Sequence, residues 1–182
     1  MEPTAVDAAV DGDVDFVEKL LNSGHDVDAR DDNLLAAGAT LLQHATIRAC
    51  PADDGAEAGA GQLAVMRLLL GRGANPNAGT EGWTPLHTAA ANGGLAAAEV
   101  LLNARADANV RCHTGETALS HLATRGDVAM IRLLLRAGAD PEPGDAERAR
   151  FASPEPGADP GCGHAEARAL LEAALRGDMA LE

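Results

Sequence analysis

Cys112-His113 and Cys162-Gly163-His164 set thiols beside imidazoles, the residue types that ligate zinc. A structural zinc site needs two close pairs within reach of each other, with spacings such as C-x2-C. Neither pair has that spacing and the two fall in separate segments, so no metal or other cofactor is assigned. Thr84 and His87 offer a hydroxyl and an imidazole, the parts of a nucleophile and its base. The chain lacks G-x-S-x-G, H-E-x-x-H, a Walker-type glycine loop and G-x-G-x-x-G. Gly55–Gly61 is glycine-rich but has neither the Lys nor the Ser/Thr that a phosphate loop requires. Asp31-Asp32 and Asp53-Asp54 are adjacent carboxylates in loop-like sequence, where solvation accounts for them. No catalytic constellation emerges, and the chain reads as a non-enzyme.

Composition says what could hold such residues in place. Of 182 residues 46% are hydrophobic but only 2% aromatic, with one Trp, two Phe and no Tyr. A core of Leu, Val and Ala suits thin, closely packed helices. The 28 acidic residues against 14 basic ones leave a net charge of −14. That balance excludes a nucleic-acid footprint, which must be basic, and disfavours an anionic membrane surface. Three cysteines, Cys50, Cys112 and Cys162, form no disulfide spacing and fit a reducing compartment. Met1-Glu2-Pro3-Thr4 is acidic where a signal peptide is basic, and apolar runs such as Leu68-Leu69-Leu70 fall far short of a membrane span. A soluble, cytoplasmic protein is expected. Leu181-Glu182 is set aside as a candidate cloning remnant.

Internal repetition organises the rest. Gly82-Trp83-Thr84-Pro85-Leu86-His87-Thr88-Ala89-Ala90 matches Gly115-Glu116-Thr117-Ala118-Leu119-Ser120-His121-Leu122-Ala123 at an offset of 33 residues. The same offset relates Leu101-Leu102 to Leu134-Leu135 and Ala106-Asp107 to Ala139-Asp140. Further out, Leu20-Leu21 precedes Gly24-His25-Asp26-Val27-Asp28, and Leu69-Leu70 precedes Gly73-Ala74-Asn75-Pro76-Asn77. Each unit reads alike. Thr84 is a good N-cap, Pro85 occupies a first-turn position that needs no N–H, and Leu86, Ala89 and Ala90 make an apolar stripe. Gly93-Gly94 ends that helix and a second begins near Leu95. Gly24, Gly73 and Gly138 mark second-helix ends in three of four units, and Asp/Asn-rich turns follow.

On these residues the sequence resembles ankyrin repeat proteins, with Thr84-Pro85-Leu86-His87, Ala89-Ala90 and Gly93 matching the family's most diagnostic stretch. The resemblance covers about residues 5–152 well and the remainder loosely. It implies an all-α solenoid of helix-turn-helix units with β-hairpin fingers. Repeats are expected at about 4–30, 31–78, 79–111 and 112–144, with a degenerate C-terminal capping repeat at 145–176, all in one domain over 1–180. It also implies that Thr84 and His87 fix the junction between finger and helix.

The first unit starts near Thr4 without the Thr-Pro-Leu-His stretch, and its Asp7, Asp11, Asp13, Asp15 and Glu18 read as a polar cap. The second unit carries two insertions, a lengthened finger at 31–39 and an acidic loop at about 49–60, before a second helix from Gly61 to Leu70. A short helix is expected at 145–152. Ala167, Leu170, Leu171, Ala174 and Leu175 then recur at helical spacing, predicting an amphipathic helix over 164–175.

In this family a partner usually meets the finger tips and the exposed side of each first helix. Carried over by residue, this implies Thr80, Glu81, Trp83 and Asn92, with Ala91, in the third unit. The fourth supplies Arg111, His113, Thr114, Glu116, Thr124 and Arg125, and the second supplies Asp31, Asp32, Leu34 and Leu35, followed by Ile47 and Arg48. Trp83, the single tryptophan, is expected to point away from the core, either as an interface anchor or packed on a neighbouring finger or Arg111. The acidic chain favours a partner with a basic patch. Two other functions are open: a small-molecule sensor or enzyme using Asp53, Asp54 and Glu57, and self-association along helix faces. A monomeric adaptor or inhibitor that binds one or more proteins is the favoured expectation.

Overall fold

The structure is a computed structural model and describes residues 4–30, 38–50, 59–151 and 163–178. The chain divides into two compact units, Met1–Asp107 and Ala108–Glu182. In the first unit α1 (Ala5–Asp11) and α2 (Val14–Asn22), α3 (Leu41–Ala49) and α4 (Ala60–Gly71), and α5 (Pro85–Asn92) and α6 (Leu95–Asn103) form successive helix pairs. The second unit has the pairs α7 (Ala118–Arg125) with α8 (Val128–Arg136), and α9 (Pro143–Phe151) with α10 (His164–Arg176). First helices pack on first helices (α1 on α3, α3 on α5, α7 on α9) and second helices on second helices (α2 on α4, α4 on α6, α8 on α10).

Small residues make this close stacking feasible. Ala8, Ala9, Ala45, Ala89, Ala90, Ala97 and Ala98 are buried in the first unit beside Leu42, Met66, Leu69, Leu86 and Leu101. The second unit buries Leu119, Leu122, Ala123, Met130, Ile131, Leu134, Ala167 and Leu171. Alanine removes little side-chain freedom on folding and lets helix axes approach, which explains how a core with so few aromatic residues closes.

Every first helix begins with the same device. Thr4, Thr40, Thr84 and Thr117 are N-caps. The side chain three residues on accepts the cap's own N–H in three of them: Asp7 at 2.9 Å, Gln43 at 3.1 Å and His87 Nδ1 at 3.3 Å. The fifth pair was expected to open at Asp145, yet α9 starts two residues earlier. Glu142 takes the threonine's place, Pro143 follows, and Asp145 accepts the Glu142 N–H at 2.9 Å. Only an acceptor three residues past the cap is needed, and aspartate supplies it as well as histidine. The amphipathic helix over 164–175 is present as α10, and the second helix of the second repeat runs over Ala60–Gly71.

The fingers are hairpin turns closed by single antiparallel bridges. Among the described residues they hold only isolated bridges, Arg30 to Thr40 and Thr80 to Trp83, and no strand. A finger such as 79–84 is spent almost entirely on its turn, leaving no length for a ladder.

Within each unit, successive repeats are also tied by their Asp/Asn turns. Asp28 accepts the Asn75 N–H at 3.0 Å, Asn77 accepts the Asp107 N–H at 2.8 Å, and Asn109 accepts the Asp140 N–H at 2.8 Å. These rungs sit at equivalent positions, which gives the recurring Asx residues a physical role. Asn77→Ala should lower stability by about 1 kcal/mol in urea denaturation, the net worth of one such bond. An unchanged midpoint would remove the rungs from the account.

Candidate functional site

In the first unit, the residues singled out around Trp83 lie on one tight turn and the helix behind it. Trp83 N–H donates to the Thr80 carbonyl at 2.8 Å, and Glu81 (φ 51°) and Gly82 (φ 77°) both lie in the left-handed region. Two such residues in a row make the turn of a type I′ hairpin. Trp83 was expected to project, but it is half-buried and folds back on α5. Its Nε1–H donates to Thr88 Oγ1 at 3.1 Å, and its ring lies 5.4 Å from that of His87 at a 35° tilt. An indole N–H near the core seeks an acceptor, and Thr88 offers one a turn further along. Asn92 is exposed at the end of α5 and donates from Nδ2 to the Thr88 carbonyl at 2.8 Å.

His87 is part of the framework. The Thr84 N–H can only donate, so Nδ1, 3.3 Å away, is the acceptor and also receives the Thr84 hydroxyl at 2.9 Å. The ring is therefore neutral with its proton on Nε2. A base whose lone pair is committed in this way, 1% exposed, is structural rather than catalytic. The junction role implied for Thr84 and His87 is what the geometry displays.

On the same helix row, Ile47 is 48% exposed and Arg48 is exposed in the last turn of α3. Asp31, Asp32, Leu34 and Leu35, the second repeat's finger candidates, lie outside the described residues. So do Asp53, Asp54, Glu57 and Cys162.

In the second unit the finger closes differently. Gly115 N–H donates to the Cys112 carbonyl at 2.8 Å, and Cys112 N–H donates to the Glu116 carbonyl at 2.9 Å. His113 and Thr114 are exposed at the tip. Arg111 donates to the Gly115 carbonyl at 2.9 Å and pairs with Glu142. Glu116 accepts from Thr114 at 3.2 Å and lies 3.6 Å from Arg148 and 3.7 Å from His121. Thr124 and Arg125 sit at the far end of α7, where the Thr124 carbonyl lies 3.2 Å from His164 Nε2. Arg111, Thr114 and Glu116 thus form one cluster, while Thr124 and Arg125 lie a helix length away.

Sequence reasoning missed Thr88, His121 and Arg148. Thr88 and His121 were legible from register, since each stands four residues past a threonine N-cap. Arg148 has no such marker. Among the described residues no three His, Cys, Asp or Glu side chains are grouped to hold a metal ion, and no helix is long and apolar enough to cross a membrane.

The two described cysteines have opposite chemistry. Burial pushes the Cys50 thiol up to about 11, against a weaker opposing bond from the Gly94 backbone. At Cys112 burial also resists ionisation, but hydrogen bonds from the Thr114 side chain and the Thr114 and Glu116 backbone outweigh it and hold the thiol below its ordinary value. At pH 8 iodoacetamide should therefore modify Cys112 well ahead of Cys50. Mass-spectrometric mapping of the modified peptides tests the order, and equal rates would contradict it.

Comparison with known proteins agrees with this architecture. The profile of ankyrin repeats in three copies matches residues 56–145, and the single-repeat profile matches 4–32. The chain is 29% identical over 140 residues to an ankyrin repeat-containing protein of Treponema pallidum, covering 77% of this chain and 42% of that one. It is 34% identical over 85 residues to human ankyrin repeat and SOCS box protein 3, covering 44% of this chain and 16% of that one. It is 30% identical over 138 residues to ankyrin repeat, SAM and basic leucine zipper domain-containing protein 1 of Dasypus novemcinctus, covering 73% and 26%. The chain thus spans less than half the length of each of these relatives. Capped helix pairs stacked in two rows, Asx rungs between their turns and matched repeat profiles together lead to one assignment: the chain belongs to the ankyrin repeat family.

Proposed function

We propose that the protein is a non-catalytic, monomeric protein-binding module of the cytoplasm, an adaptor or inhibitor. Its finger tips and the exposed edges of its first helices would meet the partner. Ankyrin repeats are generally protein–protein interaction modules, and one observation on this chain carries the reading. Trp83 and Asn92 stand at the same two positions in one repeat as Glu116 and Arg125 in the next, none of them buried, while the caps and core around them repeat. Packing accounts for what repeats; the positions that change so completely are those available for recognition.

The test is affinity capture from source lysate with wild type beside a Trp83→Ala, His113→Ala, Arg125→Ala variant shown to be folded. A protein held by the wild type alone supports the reading. Identical captures move the site elsewhere, and an empty capture turns attention to a small ligand or to self-association. With a net charge of −14, the favoured partner carries a basic patch. Its association rate should then fall as salt rises from 50 to 500 mM, because steering is screened beyond about 10 Å at 0.1 M. A rate that is flat or rising with salt would contradict the basic patch.

A further inference from the structure

Glu81 occupies a place that its own turn does not require it to fill. The loops 79–84 and 112–117 have the same length and carry a glycine at the same position, Gly82 and Gly115. In the 112–117 loop only that glycine is left-handed, at φ 81°, because the turn closes from Cys112 to Gly115. In the first unit the turn closes one residue later, from Thr80 to Trp83, and draws Glu81 into the left-handed region as well. Asparagine or glycine would sit there without strain, and glutamate does not. A strained residue at an exposed tip is a reason to look for function.

We propose that Glu81 is the charge-reading residue of this finger, and that it receives an arginine or lysine side chain of the partner protein. The inference rests on the protein-binding reading above and names the chemistry of what is bound. Glu81 is exposed and makes no ion pair with a described residue. Arg30, the cation at the base of these fingers, has its Nη1 donating to the carbonyls of Gly38 at 2.9 Å and Gly79 at 3.4 Å. Trp83, at the other end of the same turn, is half-buried with its indole N–H committed to Thr88 Oγ1, so that donor is not offered to a partner. A carboxylate beside aromatic surface suits a guanidinium or an ammonium with its alkyl stem. The net charge of −14 favours the same sign of partner.

The experiment selects a displayed random-peptide library on the full chain and measures the selected peptides on three variants. Glu81→Gln keeps the shape and removes the charge, Glu81→Lys reverses it, and Glu81→Asn relaxes the turn. Selected peptides should carry Arg or Lys at one position and bind Glu81→Gln about tenfold more weakly. Their acid-substituted versions should regain binding on Glu81→Lys. Glu81→Asn should melt higher than wild type yet bind as weakly as Glu81→Gln, a combination that a merely structural role would not give. Basic peptides that bind Glu81→Gln as well as wild type would overturn this role and leave the binding module standing. A folded wild type that enriches no peptide over scrambled controls would overturn both.

Discussion

Asp145→Ala should destabilise the second unit by about 3 kcal/mol, the loss expected when one member of a buried charged network is removed. The Asp145 carboxylate is 0% exposed. It accepts from Ser120 Oγ at 2.8 Å, from Arg148 at 2.9 Å and from the Glu142 N–H at 2.9 Å. Alanine would take away the shorter of the two contacts of the buried Ser120 hydroxyl, which keeps only Thr117 Oγ1 at 3.2 Å, and would leave the Glu142 N–H ahead of α9 without its acceptor. Arg148 is partly exposed and can rehydrate, which keeps the loss below that of a sealed ion pair. Urea denaturation followed by circular dichroism measures it. Asp145→Asn, which keeps an acceptor, should lose clearly less. Combining Asp145→Ala with Ser120→Ala should cost less than the sum of the two, since they share a bond. A loss under about 1 kcal/mol, or strict additivity, would show the network to be incidental.

Gly12→Ala should cost about 2 kcal/mol more than Gly73→Ala, although both glycines are left-handed, at φ 76° and 91°. The two substitutions share the backbone penalty, so their difference isolates packing. A Cβ at Gly73 meets nothing within 4 Å, whereas one at Gly12 would sit 2.8 Å from the Gly61 carbonyl carbon and 2.9 Å from Gln62 N. These are backbone atoms of the first turn of α4, and Gln62 Nε2 holds them in place by donating to the Val10 carbonyl at 2.8 Å. No side chain can rotate aside to make room. Thermal denaturation of both variants gives the comparison, and equal shifts would mean that the two repeats can part freely at this turn.

These two positions also show where reading the sequence succeeds and stops. The 33-residue period, the threonine caps and the glycine stops place α5 to α8 within a residue or two, because each is written in residue identity. Asp145 was read as the start of a helix and is instead its third residue. The Glu142-Pro143-Gly144-Asp145 segment keeps the cap hydrogen bond of Thr84-Pro85-Leu86-His87 while changing three of the four residues, with exposed Gly144 where buried Leu86 stands. Gly12 shows the same limit, since its importance comes from a backbone 49 positions away. At the candidate site, register alone singles out Trp83, Asn92 and Arg111. The direction of the Trp83 ring is not set by register, because it depends on whether Thr88 lies close enough to take the indole proton. Nothing in the letters around Glu81 signals its left-handed backbone, which follows from where the turn closes.

The rungs between the Asx turns have a kinetic consequence. Asn77 to Asp107 and Asn109 to Asp140 span 30 and 31 residues. The side-chain bond from Arg72 to Glu18 spans 54 residues. Folding therefore requires no very long loop to close before contacts reward it, and the entropy of closure is met one neighbour at a time. Lengthening the chain by further repeats would add sites where folding can begin without raising the entropic barrier at any of them.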